Sequence, residues 1–318
     1  MNRLIKKSQD IETSYEATRA GFLEIALRKN REALPYIDEA RAVKTIADSH
    51  SNPTDLIGDG RIKKALIEAA GISTKANNYL QKEDIDKIVF EFINTYLKPA
   101  GKNFPEELTY RFLLTKGDAL GGRMRNIAGA IANEKLTRFI AAQLRIQNIP
   151  HHFLLKETSQ WIENKHPGFE MLGAVKSIRW RNLKGDREMI YNLTVPVVKK
   201  NIDISIFNAI TETLKTPNEK KLFFSNPVNY LALGELKGGV DPAGADEHWK
   251  TANTALDRIR NSFKAARHPV HTFFVGSAIE ASMAQEIYAQ CVKGQLESCA
   301  NLTNDDQLAE LCCWLVLL

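Results

Sequence analysis

The apolar period of this chain changes at Pro150, and few architectures accommodate both halves. Before it, apolar residues recur every three or four positions, as on an amphipathic helix; after it they alternate every two, as on a strand with two unlike faces. From Asp10 to Tyr96, Ile11, Tyr15, Thr18 and Phe22 form one helical stripe and Ile85, Ile88, Val89, Phe92 and Ile93 another. Breaks at Asn52-Pro53, Gly58-Asp59-Gly60 and Lys98-Pro99-Ala100-Gly101 separate the pieces. These features predict a helical subdomain over residues 1–105. Strand patterns follow at 152–155, 175–180, 189–193, 201–207, 228–237 and 270–275, interrupted by a helical stripe over 246–267 (Ala252, Leu256, Ile259, Phe263). The expected fold is mixed α/β: a sheet-based core over residues 106–276, the helical subdomain, and a helical C-terminal region over 277–318 that packs on the body or a subunit interface.

The strand pattern ending at Lys237 carries the most chemistry. Its apolar run closes in Glu235-Leu236-Lys237 and opens into a glycine-rich, acidic turn, GGVDPAGADEHW. Alternation puts Glu235 and Lys237 on one face and Leu236 on the other, holding a carboxylate beside an ammonium at a sheet edge. Such a pair suits phosphodiester hydrolysis, in which a hard divalent ion needs oxygen ligands and the attacking water needs a nearby cation. The spacing alone does not discriminate, because Glu163-Asn164-Lys165 and Glu219-Lys220-Lys221 share it. Only Glu235 ends a strand that reads as buried. Asp203 is the single acid in NIDISIF, on the face of Ser205 and opposite Ile202, Ile204 and Ile206. An acid in that setting is exposed, paired or bound to a cation; either it lies on the polar face of an edge strand, or it joins Glu235 around one metal.

Composition narrows the class. The excess of 43 Lys and Arg over 38 Asp and Glu gives a net charge of +5, which permits a polyanionic partner without requiring one. The opening MNRLIKKSQDIE has no apolar core of signal-peptide length, and the longest apolar stretch, Leu311 to Leu318, is too short to span a bilayer. Cys291, Cys299, Cys312 and Cys313 form no C-x-x-C pair, which argues against zinc and for a reducing cytoplasm. Spacing alone offers His151, His152, His268 and His271 as ligands, but without a third ligand they read as loop and strand-end residues. In the stretch from Thr115 to Ile149, a glycine pair precedes Arg123 and Arg125. Either it opens a helix whose free N–H groups hold a phosphate between the arginines, or it permits a close helix contact beside solvated arginines.

The blocks KGDALGGRMRNIAGA and ALGELKGGVDPAGADEHWKTA resemble the AvaI/BsoBI family of type II restriction endonucleases, over most of the chain. The resemblance implies a PD-(D/E)xK core with a mixed central sheet and a helical domain. It implies a homodimer around duplex DNA, Mg2+ as cofactor, and cleavage of a degenerate palindrome, C-Py-C-G-Pu-G, leaving 5′ staggered ends. Asp203 and Glu235 then stand as the metal-binding carboxylates, the Leu236 carbonyl as a further ligand, and Lys237 as the lysine of the motif. His248 matches an additional active-site histidine considered as a general base, Asp241 an acid that meets bases in the major groove, and Lys75 a base-reading lysine. No proline precedes Asp203, so the first half of the signature is Ile-Asp. From the residues alone, His248 also reads as an exposed residue of a first helical turn and Asp241 as a turn former before Pro242. Two other functions fit the same core: a structure-selective repair or junction nuclease, and a DNA-binding regulator without catalysis.

Overall fold

The computed structural model of the chain describes residues 1–163 and 169–318, and the side chains of Arg125, Phe169, Glu170 and Thr213 lie outside the described set. The fold is mixed α/β and divides into two compact units, residues 1–23 with 127–318, and residues 24–126.

The smaller unit is helical. It holds most of α1 (Tyr15–Asp48), then α2 (Lys63–Ala69), α3 (Thr74–Asn77), α4 (Lys82–Phe92) and α5 (Phe104–Arg125). Its core gathers Val43 and Ala47 of α1, Leu66 of α2, Val89 and Phe92 of α4 and Leu108 and Phe112 of α5. The stripe expected along the start of α1 does not form a buried face: Ile11 is buried in a turn before the helix, whereas Tyr15 and Phe22 are exposed.

The larger unit is built on one mixed sheet. Its strands are β1 (His151–Leu155), β2 (Trp161–Ile162), β3 (Val175–Asn182), β4 (Gly185–Val195), β5 (Lys200–Phe207), β6 (Tyr230–Lys237), β7 (His271–Gly276) and β8 (Ser298–Asn301), in spatial order β2-β1-β3-β4-β5-β6-β7-β8. Pairing is antiparallel as far as β5–β6, and parallel for β6–β7 and β7–β8. The parallel pairing requires a crossover, which is supplied between β6 and β7 by α9 (Ala245–Ala265). Helices α6 (Ile127–Ile146), α7 (Phe169–Gly173), α8 (Pro217–Ser225), α10 (Ala281–Val292) and α11 (Asp305–Leu317) complete the unit.

Two apolar layers sandwich the sheet. In the first, Trp249, Ala252, Leu256, Ile259 and Phe263 of α9 and Met283, Ala284 and Ile287 of α10 meet Phe207, Tyr230, Leu233 and Phe274. In the second, Leu136, Ile140 and Leu144 of α6 and Leu308, Leu311, Cys312 and Leu315 of α11 meet Ile178, Met189, Ile204, Leu236 and Phe273. The apolar C-terminal stretch is thus packed on the body through Leu311, Cys312, Leu315 and Val316. Two expectations change here. The region after Ser277 is not wholly helical, since it contributes the buried strand β8 between α10 and α11. Glu235 and Asp203 do not lie at a sheet edge either; β5 and β6 are interior strands, and both acids sit where the two part.

The N-terminal segment is laced to β8, at one edge of this sheet, and to the residues beside it. Asn2 Nδ2 donates to the carbonyls of Cys299 and Gln307 at 3.1 and 2.9 Å, and Asn301 Nδ2 donates to the Ile11 carbonyl at 3.0 Å and Thr13 Oγ1 at 2.9 Å. Thr13 Oγ1 donates to the Ser277 carbonyl at 2.8 Å, and Ser277 N–H in turn donates to the Lys237 carbonyl at 2.9 Å.

Candidate metal centre at the opened end of two strands

β5 and β6 pair as far as Ile204 and Gly234, and the next residues, Asp203 and Glu235, face each other across the opening. Asp203 Oδ2 accepts the Leu236 N–H at 2.9 Å, taking the position a ladder carbonyl would hold. Lys237 Nζ bridges the two acids, 2.9 Å from Asp203 Oδ2 and 2.7 Å from Glu235 Oε2. In an extended residue the N–H and C=O leave by the same edge, so the Leu236 carbonyl faces this opening as well. The Leu236 side chain points the other way, into the second layer.

The electrostatics follow from burial. The Glu235 side chain is 4% exposed, against 25% for Asp203 and 21% for Lys237. Burial first, and the neighbouring Asp203 charge second, push the Glu235 carboxyl up to about 7, and the Lys237 ammonium only partly offsets this. For Lys237 burial acts downward, but the charges of Glu235 and Asp203 outweigh it and leave the ammonium's pKa raised. Two carboxylates with too little positive charge between them are what a divalent cation would complete. Lys237 Nζ, bound to both at once, shows that a small cation fits the gap. Among the described residues no group of three or more His, Cys, Asp or Glu side chains converges anywhere. The candidate donors are therefore two carboxylates and a carbonyl, a set that would suit a hard ion keeping water or phosphate oxygens in its other positions.

Close packing fixes the loop after the strand. A methyl group on Gly238 would stand 2.3 Å from the Ala128 carbonyl oxygen and 2.7 Å from the Ala132 Cβ, so the chain leaves Lys237 pressed against α6. At Gly239 a methyl would meet His248 Nε2 at 2.8 Å, and Gly244 flanks the same ring. His248, in the first turn of α9, is exposed and packs against the backbone two residues beyond Lys237. Asp241 is exposed, with Oδ1 accepting the Ala243 N–H at 3.0 Å.

The remaining sequence-derived residues lie elsewhere. Lys75 is exposed on α3, whose Ser73 cap accepts the Ala76 N–H at 3.1 Å. Arg123 Nη1 donates to the Tyr36 hydroxyl at 2.8 Å and Nη2 pairs with Glu32 at 3.2 Å. Gly121 and Gly122 fall in the last turn of α5, so they do not open a helix; the next helix starts at Ile127. The Arg125 side chain, and Lys165 of the first competing triplet, fall outside the described residues. The other triplet is accounted for by helix capping, as Glu219 Oε2 accepts the N–H groups of Lys215 and Thr216 at the start of α8. His151 is buried, while His271 lies 3.4 Å from Glu297.

One residue escaped the sequence reading. Asn192, opposite Asp203 on β4, has φ +52, a left-handed backbone inside a strand. An asparagine interrupting an apolar alternation is the signal that points to it, because Asn tolerates that conformation better than most residues.

Residues 1–318 match the family described as restriction endonuclease BsobI. The chain is 46% identical over 315 residues to the type II restriction enzyme BsoBI of Geobacillus stearothermophilus, covering 98% of this chain and 96% of that protein. It is 45% identical over 315 residues to the type II restriction enzyme AvaI of Nostoc sp. and to that of Anabaena variabilis, covering 99% of this chain and 98% of each. Joined to a strand end that presents Asp203, Glu235 and Lys237 together, these matches show that the chain belongs to the BsoBI family of restriction endonucleases.

Proposed function

We propose that the protein cleaves both strands of duplex DNA at a short degenerate palindrome of the C-Py-C-G-Pu-G type, in a Mg2+-dependent reaction that leaves 5′ staggered ends. The observation that carries this reading is the pair Asp203–Glu235 bridged by one cationic group at the opened end of β5 and β6. Asp203, Glu235 and the Leu236 carbonyl would hold the ion. When bound, Mg2+ supplies charge for the phosphate oxygens and favours the deprotonated form of the attacking water.

The chain's own groups do the rest. Lys237 Nζ, already facing the opening, donates to an anionic oxygen that enters it and offsets charge gathered in the transition state. His248 makes no hydrogen bond or ion pair among the described residues, which leaves its ring free to accept a proton. Asp241 uses one oxygen within its own turn and keeps Oδ2 for a cytosine amino group. Lys75 is exposed and suited to guanine N7 or O6. Arg123 reaches a phosphate only by leaving Glu32. A palindrome is read economically by a two-fold dimer, so the working form is a homodimer in the cytoplasm, with duplex DNA as partner. No described helix is long and apolar enough to cross a membrane.

Digestion of a plasmid of known sequence with Mg2+, followed by mapping of the ends, tests the specificity. Cuts confined to one degenerate palindrome are expected, and cuts governed by branches or lesions would overturn it. Asp203→Ala, Glu235→Ala and Lys237→Ala are each expected to abolish cleavage while Ca2+-supported binding to the cognate duplex persists. Normal cleavage by Glu235→Ala would remove the site assignment.

A further inference from the structure

A β-strand side chain ordinarily stands perpendicular to its sheet, whereas the Leu236 N–H that Asp203 accepts lies in the sheet plane. The packing shows how Asp203 reaches it. Strand residues two apart normally share a face, yet Ile204 belongs to the second apolar layer and Ile202 to the first. The same reversal occurs on β4, where Tyr191 packs in the second layer and Leu193 against the first. The two strands keep their register through it, Tyr191 with Ile204 and Leu193 with Ile202. Both therefore make a half-turn over one residue pair, Asn192 and Asp203. A side chain at the middle of such a half-turn points into the sheet plane, and that is where Asp203 Oδ2 is found.

On β4 the residue at that step is Asn192, in the left-handed conformation at φ +52. Its carbonyl accepts Asn201 Nδ2 at 3.0 Å, a bond that links the two strands on the far side of the half-turn. The Asn192 side chain is exposed and contributes nothing to either core, so packing does not account for its backbone state. We infer that Asn192 is a positioning residue: its left-handed backbone turns the β4–β5 pair so that the Asp203 carboxylate is aimed in the sheet plane toward Glu235 and the metal position. The inference rests on the proposed role of Asp203 as a metal ligand.

The test separates backbone from side chain. Glycine adopts a left-handed backbone freely, alanine less readily, and a β-branched residue least of all. Asn192→Gly, Asn192→Ala and Asn192→Val are compared with the parent and with Asp203→Asn. Mn2+ affinity is measured in the absence of DNA by electron paramagnetic resonance, the Mg2+ dependence of single-turnover cleavage is followed, and thermal unfolding is monitored in EDTA. Asn192→Gly is expected to stay within about threefold of the parent in Mn2+ affinity. Asn192→Val should weaken it tenfold or more and raise the Mg2+ concentration for half-maximal rate by a similar factor, with Asn192→Ala between them. Equal losses in the Gly and Val variants, or a Val variant with unchanged metal affinity, would overturn the inference. If Asn192→Val unfolds, the comparison of Asn192→Ala with Asn192→Gly decides in the same way. Should Asp203→Asn bind Mn2+ as tightly as the parent, the fault lies in the metal-ligand reading and not in the half-turn.

Discussion

Gly238 offers a sharp test of how the site is braced, because the group it presses on cannot rotate away. A Cβ at this position would lie 2.3 Å from the Ala128 carbonyl oxygen, 2.7 Å from the Ala132 Cβ and 2.8 Å from the Ala128 carbonyl carbon. Carbon atoms rest about 3.5–4.0 Å apart, so the Ala132 contact alone demands roughly 0.8 Å of separation between α6 and the end of β6. Overpacking of this kind costs about 1–3 kcal/mol, and a backbone neighbour places Gly238→Ala near the upper limit, at ~3 kcal/mol. The displacement falls on the residue after Lys237. A misplacement of about 1 Å at a reacting group lowers the rate on the order of a hundredfold. Urea denaturation followed by tryptophan fluorescence and single-turnover cleavage at saturating Mg2+ measure the two effects. Gly239→Ala is the matched control for stability alone, since its Cβ would meet only the His248 ring, at 2.8 Å, and that ring can turn aside; its stability should change by less than ~1 kcal/mol. A Gly238→Ala protein within about 0.5 kcal/mol and threefold of the parent would falsify the claim that this contact sets the position of Lys237.

Three further outcomes are expected. His248→Ala should lose much of its cleavage rate and change its pH profile, whereas an unchanged rate would reduce the residue to a packing partner of Gly239 and Gly244. Asp241→Ala should weaken cognate binding more than nonspecific binding in competition titrations, and equal losses would point to damage in the loop. The hydrogen bond that the His271 ring donates to the Glu297 carboxylate raises the His271 pKa above 6.5, so the pair contributes stability that is complete below the unfolded-state value and fades as pH climbs through the folded one. His271→Gln should therefore be less stable than the parent at pH 5.5, with the difference shrinking by pH 8; a deficit independent of pH would assign the loss to packing against Trp314.

The strands that carry the site were legible because their alternation is strong. NIDISIF falls in β5 as read, the strand expected over 228–237 forms β6 from Tyr230 to Lys237 after a short turn, and the stripe Ala252, Leu256, Ile259 and Phe263 faces the core as expected. β8 was not legible: Ser298-Cys299-Ala300-Asn301 is short, has two polar residues, and is buried by tertiary neighbours, β7 beside it and α10 and α11 on its two faces. The glycine pair left two readings open for a related reason, since a glycine inside a final helical turn cannot be told from one that precedes a helix by composition alone. At Asp203 the alternation rule itself misplaced the side chain. It put the acid on the face of Ser205, but the rule holds only while the backbone stays extended, and Asn192 breaks that condition on the facing strand. Glu219-Lys220-Lys221 shows the converse, that a motif's spacing has no meaning until the element around it is known, since here Glu219 caps a helix.

The lacing of the N-terminal segment has a consequence for synthesis. Asn2 is held by carbonyls 297 and 305 residues later, and Ile11 by Asn301, 290 residues later. A chain emerging from the ribosome in order presents its first segment long before any partner for it exists. Lys237 can be extruded and β6 formed, yet the strap from Asn301 through Thr13 and Ser277 to the Lys237 carbonyl cannot close until residues beyond Asn301 are free. A chain organised in this way closes its brace on the end of β6 only after translation has passed Asn301, so this part of the fold forms after synthesis of nearly the whole chain and not alongside it.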